Sequence, residues 1–243
     1  MLNSQPMVKP STCNKKMKEN PEFTKWSDQW KQARVYGSSL DSVLQLWRMP
    51  TPKRFHRNTP LPFNKGYRKN NEDDVEEQRI ERALLEPEGL SFALTLRKGS
   101  QTKQWHLTPS HQNVALANQK KGQVIADVFG CVTGASKHPV MIEVKTKANN
   151  PWHALIENLQ QVRLARACAH RSASDGQVDT HPLNGCWGLV LAPRDYSSKR
   201  RGQMEKCRTL LERLKKETQA RIAFGIWDAN EPTKIELLDC SNW

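Results

Sequence analysis

An aspartate sits inside an apolar run, Val124-Ile125-Ala126-Asp127-Val128-Phe129, and sixteen positions later comes Glu143-Val144-Lys145. Along an extended chain side chains alternate faces, so Glu143 and Lys145 share one face and Val140, Ile142 and Val144 the other. A carboxylate in the middle of an apolar strand must be solvated, paired or bound to a cation, because burying it alone is very costly. If the two strands are neighbours, Asp127 and Glu143 converge on one point. Two hard-oxygen donors of this kind suit Mg²⁺, with Mn²⁺ as a substitute. A lysine one step beyond, on the same face, can hold or help deprotonate a water and neutralise negative charge developing on a phosphoryl group. The alternative is structural, with Asp127 capping a turn at a strand end and Glu143 and Lys145 forming an exposed cross-strand pair. Met141 on the face of Glu143, and Ile125 and Phe129 flanking Asp127, speak against an ordinary polar solvent face.

The elements that would hold these residues follow from periodicity and punctuation. A helix is expected over 72–86, stopped at Pro87. Alternation predicts a strand over 90–97, with Gly99 in the turn after it. Strands over 123–129 and 140–146 carry the two acids, with a connector between them. Asn150 caps a helix that has Pro151 in its first turn and runs to about 170. Then come a buried strand over 185–192, a strongly basic helix over 197–218, a strand over 220–227 and a short last strand over 234–238. This order, αβββαβαβ(β), predicts an α/β domain with a mixed sheet.

The aspartate and the Glu-x-Lys sixteen positions on, with apolar β residues around both, resemble the PD-(D/E)xK signature of the restriction-endonuclease-like nuclease superfamily. The order helix, three strands, helix, strand is similar to that superfamily's topology over about 72–227. The resemblance implies a restriction-endonuclease-like mixed central sheet flanked by helices. It also implies a metal-dependent nuclease, an endonuclease before an exonuclease, acting on DNA more than RNA. Asp127 and Glu143 would be metal ligands, with the main-chain carbonyl of Val144 as an additional one, and Lys145 the catalytic lysine. Many members add a glutamate from the helix before the sheet. Here Glu76, Glu77 and Glu81 are available; Glu77, on the face of Ile80 and Leu84, is the first choice and Glu81 the second. The RecB-like branch places a glutamine on the helix after Glu-x-Lys, where this chain has Gln160-Gln161. Gln161 shares a stripe with Ala154, Asn158, Ala165 and Cys168 and is preferred. The tyrosine often found shortly after that glutamine is absent, with Leu164, Ala165 and Arg166 in its place, and Ala126 stands where the signature has proline.

Charge is unevenly distributed over the 243 residues. The chain carries 38 Lys and Arg against 25 Asp and Glu, net +13, and residues 1–70 hold 14 of those cations and only 4 acids. Seven of the 14 prolines fall in the same segment. This predicts a basic N-terminal arm over 1–70 on a nuclease-like body over 71–243. Within the arm, weak helical patterns carry Trp26, Trp30, Leu44 and Trp47, which can pack together or onto the body. From 49 to 70 there is no acid, and Lys53, Arg54, Arg57, Lys65, Arg68 and Lys69 alternate with Phe55, Phe63 and Tyr67 on a chain that prolines keep extended. Cations neutralise phosphates and aromatic faces stack on bases, so the segment suits a nucleic-acid contact; a solvated linker is the alternative. Lys199, Arg200 and Arg201 at the start of the basic helix are a second candidate for gripping a phosphate.

Composition excludes other classes. The longest apolar runs are too short for a membrane-spanning helix, and the first 30 residues lack the apolar centre of a secretory signal. The six cysteines are dispersed without a CxxC pair, which predicts reduced thiols in the cytoplasm rather than a zinc site or a disulfide framework. No GxGxxG, GxxxxGK[ST] or GxSxG motif is present. The expected partner is nucleic acid, DNA favoured, with a protein partner as a source of specificity. An inactive nucleic-acid-binding or assembly subunit is the alternative function.

Overall fold

The computed structural model describes residues 21–52, 80, 81, 83–85, 91–117, 124–145, 150–172, 185–193, 196, 201–228 and 234–243. The strands are β1 (Phe92–Lys98), β2 (Gln101–Ala117), β3 (Val124–Thr133), β4 (Lys137–Val144), β5 (Trp187–Pro193), β6 (Ile222–Trp227) and β7 (Lys234–Cys240). The helices are α1 (Pro21–Ala33), α2 (Leu40–Arg48), α3 (Pro151–Ser172) and α4 (Arg201–Glu217). Residues 80, 81 and 83–85 are also helical.

Strands β1 to β4 form an antiparallel run. The first hairpin needs only Gly99 and Ser100 between the paired Lys98 and Gln101, and Gly99 supplies the positive φ of 60° that such a tight turn favours. β4, β5 and β6 are parallel, and β7 returns antiparallel to β6. β7 then pairs parallel with β1, from Ala93↔Lys234 to Leu96↔Leu237, and the seven strands close into a barrel.

The closure corrects the expected fold. The chain is a closed, mixed seven-stranded barrel with its helices outside, not an open restriction-endonuclease-like sheet flanked by helices. Two features of the sequence hide this. β2 is a strand the sequence pattern does not announce, because Pro109 and a run of Ser110, His111, Gln112 and Asn113 obscure its alternation; its register against β3 shifts between Pro109 and His111. The β1–β7 pairing joins the two ends of the sheet, and nothing local announces a pairing across most of the chain.

One core cluster draws on all seven strands, with Phe92, Leu107, Val128, Ile142, Leu189, Ala223 and Ile235 among its members, and fills the barrel; Ile80 and Leu84 join it. The other lies between the outer face of the sheet and the helices. α1 contributes Phe23, Trp26 and Trp30 at helical spacing, and α4 contributes Met204, Cys207, Leu210, Leu211 and Leu214. Trp26, Trp30, Leu44 and Trp47 share this cluster with Leu155 and Leu159 of α3, so residues 21–49 of the expected arm are built into the main core. The expected boundary near 70 lies outside the described residues. No helix among the described residues is long and apolar enough to cross a membrane.

Candidate functional site between the barrel wall and helix α3

β3 and β4 pair from Thr133↔Lys137 to Val128↔Ile142. One step further the ladder gives way to a side chain, and Asp127 Oδ2 accepts the Val144 N–H at 2.8 Å. On its other edge β4 stays attached, with the Lys145 N–H donating to the Leu191 carbonyl at 2.8 Å. Continuing the register brings Asp127 opposite Glu143, on the face that carries Phe129 and Met141 toward the helices.

Helix α3 covers this face. Asn150 caps it, its Oδ1 accepting from the Trp152 N–H at 2.9 Å, and Pro151 takes the first helical position, where no amide hydrogen is needed. Asn158 Nδ2 donates to the Met141 carbonyl at 3.0 Å and to Gln161 Oε1 at 3.2 Å. The helix lies this close because β5 has Gly188 beneath it; a Cβ there would stand 2.2 Å from Asn158 Oδ1.

Glu143 is 2% exposed, and both its oxygens are engaged. Oε2 accepts from Gln161 Nε2, and Oε1 pairs with the Lys145 ammonium. Gln161 Nε2 also donates to the Ile125 carbonyl at 2.8 Å, so one amide group on α3 ties β3 to β4. A further carboxylate, Glu157, stands one helical turn before Gln161. Its Oε2 lies 3.5 Å from Lys145 Nζ and 3.6 Å from His153 Nε2, and its Oε1 lies 3.0 Å from Arg34 Nη1.

Glu143 and Glu157 share Lys145 between them, and their surroundings push them in opposite directions. Burial, then the charge of Asp127, holds the Glu143 carboxyl well above the usual carboxylate range, against the pull of Lys145. Burial works to raise Glu157 as well, but Lys145 and Arg34 outweigh it and leave Glu157 below its ordinary value. Of the two, Glu143 is the carboxyl that holds a proton more readily. His153 is lowered, chiefly by burial.

Asp127, Glu143, Lys145 and Gln161 are thus brought together. Val144 contributes its main-chain N–H to Asp127 while its side chain lies in the barrel core. Gln160, the other glutamine, turns to α1, accepting from Arg34 Nη2 at 2.7 Å and donating to Ser27 Oγ at 3.4 Å. Glu81 is buried in the helical segment whose Ile80 and Leu84 pack with the barrel. Glu76, Glu77, Lys53, Arg54, Arg57, Lys65, Arg68, Lys69, Lys199 and Arg200 lie outside the described residues. Arg201 stands exposed at the start of α4. Glu143 and Lys145 are not an exposed cross-strand pair, since the Lys145 side chain is 11% exposed and that of Glu143 2%.

No family model, curated protein or solved structure matches the chain.

Among the described residues no group of three or more His, Cys, Asp or Glu is placed to hold a metal ion. The candidate donors the structure brings side by side are the carboxyl groups of Asp127 and Glu143, the hard-oxygen type that suits Mg²⁺, an ion commonly bound through one or two carboxylates with the remaining positions taken by water and substrate phosphate. It does not fit zinc, whose structural sites use four protein ligands rich in Cys and His. Glu157 and Arg34 were missed from sequence. Glu157 had a signal, its spacing of four from Gln161 on one helix face. Arg34 had none, because the α1–α3 packing that brings it in is tertiary.

Proposed function

We propose that this chain is a metal-dependent nuclease that hydrolyses phosphodiester bonds, with DNA the favoured substrate and Mg²⁺, or Mn²⁺ in its place, as cofactor. The observation that carries the reading is the convergence of Lys145 and Gln161 on Glu143, with Asp127 opposite, all fixed by β3, β4 and α3. The likeness to the PD-(D/E)xK signature is one of site chemistry, carried on a different architecture.

Asp127 and Glu143, with the Val144 carbonyl, would hold the ion. When bound, Mg²⁺ supplies a Lewis acid for the phosphate and acidifies a nearby water. Gln161 fixes the Glu143 side chain through a donor that is itself anchored on the Ile125 carbonyl. The Val144 N–H orients Asp127 in the same way. Lys145 orients the attacking water and offsets the charge that gathers on the phosphate oxygens. Basic residues at 53–69 and 199–201 would hold the strand, and a protein partner would supply specificity. Four described cysteines, Cys131, Cys186, Cys207 and Cys240, are free thiols, which fits a reducing compartment such as the cytoplasm.

A second reading has its own observation. Both Glu143 oxygens are engaged by Gln161 and Lys145, an arrangement that also suits a chain keeping the site as structure and only binding nucleic acid or assembling with a partner. Nicking of supercoiled plasmid separates the two readings, and a gel shift on the same plasmid separates nucleic-acid binding from assembly.

A further inference from the structure

Among the described residues Lys145 pairs with the carboxylates of Glu143 and Glu157, and of these Glu143 belongs to the proposed ligand set. We propose that Glu157, held in turn by Arg34, is the positioning residue for Lys145, so that the N-terminal helices help to build the site. The proposal rests on the nuclease reading and extends it to residues outside the motif.

A lysine ammonium rides on a flexible four-carbon stem and donates in three directions, so it acts at a fixed point only if its acceptors fix it. Glu143 is one acceptor, but it is also the carboxylate required as a ligand, and Gln161 already occupies its other oxygen. Glu157 comes from α3 rather than from β4, at 3.5 Å from Lys145 Nζ. It remains an acceptor for Lys145 whatever Glu143 is bound to. Lys145 sits between Glu143 and Glu157, and Arg34 offsets the charge that Glu157 adds to a pocket already holding Asp127 and Glu143.

This is not a loose surface pair. The side chains of Arg34 and Glu157 are 18% and 22% exposed. Arg34 forks, one arm on Glu157 at 3.0 Å and the other on Gln160 at 2.7 Å. The turn that carries it is fastened from two sides. Trp152 Nε1 donates to the Ala33 carbonyl at 2.9 Å and to the Val35 carbonyl at 3.1 Å, and the Lys206 ammonium donates to the Ser38 carbonyl at 2.6 Å and also to that of Tyr36. The place of Glu157 is therefore set by α1 as much as by its own helix.

The test uses the full chain with Glu157→Ala, Glu157→Gln, Arg34→Ala, Arg34→Lys and the double alanine variant. Plasmid nicking in Mg²⁺ is read as kcat and KM. Glu157→Ala should lower kcat about 10- to 100-fold, the scale on which a small misplacement of a reacting group acts, with KM unchanged. Glu157→Gln should keep part of the rate, because its amide oxygen still accepts from Lys145, and it serves if the alanine variant folds poorly. Arg34→Ala should cost less, Arg34→Lys less again, and the double variant no more than Glu157→Ala alone. An independent readout needs neither metal nor DNA. The Lys145 ammonium resonance in a ¹⁵N spectrum, assigned with Lys145→Arg, should be visible in the wild type and lost in Glu157→Ala. If Glu157→Ala and Glu157→Gln lower only the melting temperature, leaving kcat and the resonance as in the wild type, Glu157 is a brace between helices and the proposal is overturned. If the wild type nicks nothing, the nuclease reading fails, and loss or retention of the resonance still decides whether Glu157 holds Lys145.

Discussion

Asp127 of β3 accepts the main-chain N–H of Val144 of β4 at 2.8 Å, at the point where the ladder between the two strands ends. The carboxylate takes the place of a strand carbonyl. It satisfies a backbone donor that would otherwise be stranded, and it sets a negative charge beside the buried Glu143. The same bond thus ends a sheet ladder and sets two carboxyl groups side by side.

Two variants of Asp127 separate these roles. Asp127→Asn keeps an oxygen that can accept the Val144 N–H but loses the charge. It should melt close to the wild type and be inactive. Asp127→Ala also leaves the N–H unsatisfied and should cost about 1–3 kcal/mol more. Denaturant melts of both variants, set against nicking assays, check this. Equal stability of the two would mean that the hydrogen bond contributes nothing.

The raised pKa of Glu143 makes stability depend on pH. The folded state holds the Glu143 proton more tightly than the unfolded chain, so this contribution is fully present below the unfolded carboxylate pKa and is lost as pH rises through the raised folded value. Glu143→Gln, which mimics the protonated form, should therefore gain stability relative to the wild type as pH rises from about 4, the ordinary carboxylate range. At neutral pH it should melt at or above the wild-type temperature. Thermal melts in chelator across that range are the check; a constant deficit at every pH would contradict a raised Glu143 pKa.

The glutamines make a matched pair. Gln161→Ala removes the only amide donor described on Glu143 and the tie to Ile125, and should lower the nicking rate at least about 10-fold, in keeping with the loss of a positioning contact. Gln160→Ala touches Arg34 and Ser27 instead and should act mainly on stability. Rates for both at saturating plasmid decide it, and the reverse order would move the functional face of α3.

What the sequence revealed was local. Alternation placed Glu143 and Lys145 on one face, and the stripe of Ala154, Asn158 and Ala165 picked Gln161 over Gln160 as the residue facing the sheet. Asn150 and Pro151 marked the start of α3. What stayed hidden was tertiary. The polar, proline-interrupted β2 has weak periodicity, and the β1–β7 pairing has no local signal, so the sequence pattern alone resembles that of an open sheet. Trp26, Trp30 and Trp47 were visible as large apolar residues, but whether they packed on the body depended on α3, which lies far along the chain.

That packing changes what an N-terminal truncation would report. Removing residues 1–52 deletes Trp30, which is fully buried, and should unfold the protein rather than merely weaken DNA binding. A single Trp→Ala change at such a site costs about 3–5 kcal/mol, a large share of the roughly 5–15 kcal/mol that holds a domain folded. Charge reversal of Lys53, Arg54 and Arg57 in the full chain avoids this. If those residues contact phosphates, it should weaken DNA binding and flatten the salt dependence of log affinity by about 0.7–0.9 per lost contact. An unchanged slope would make the segment a linker.

The central claim is that Asp127, Glu143 and Lys145 form a site for metal-dependent phosphodiester hydrolysis. Supercoiled plasmid incubated with the purified chain tests it most directly, in Mg²⁺, in Mn²⁺ and in chelator, beside Asp127→Asn, Glu143→Gln and Lys145→Ala. The account predicts nicked or linear product for the wild type with either metal, none in chelator, and none from the three variants although each still shifts the plasmid on a gel. Cleavage that survives chelator, or persists at the wild-type rate in Asp127→Asn or Glu143→Gln, would contradict it.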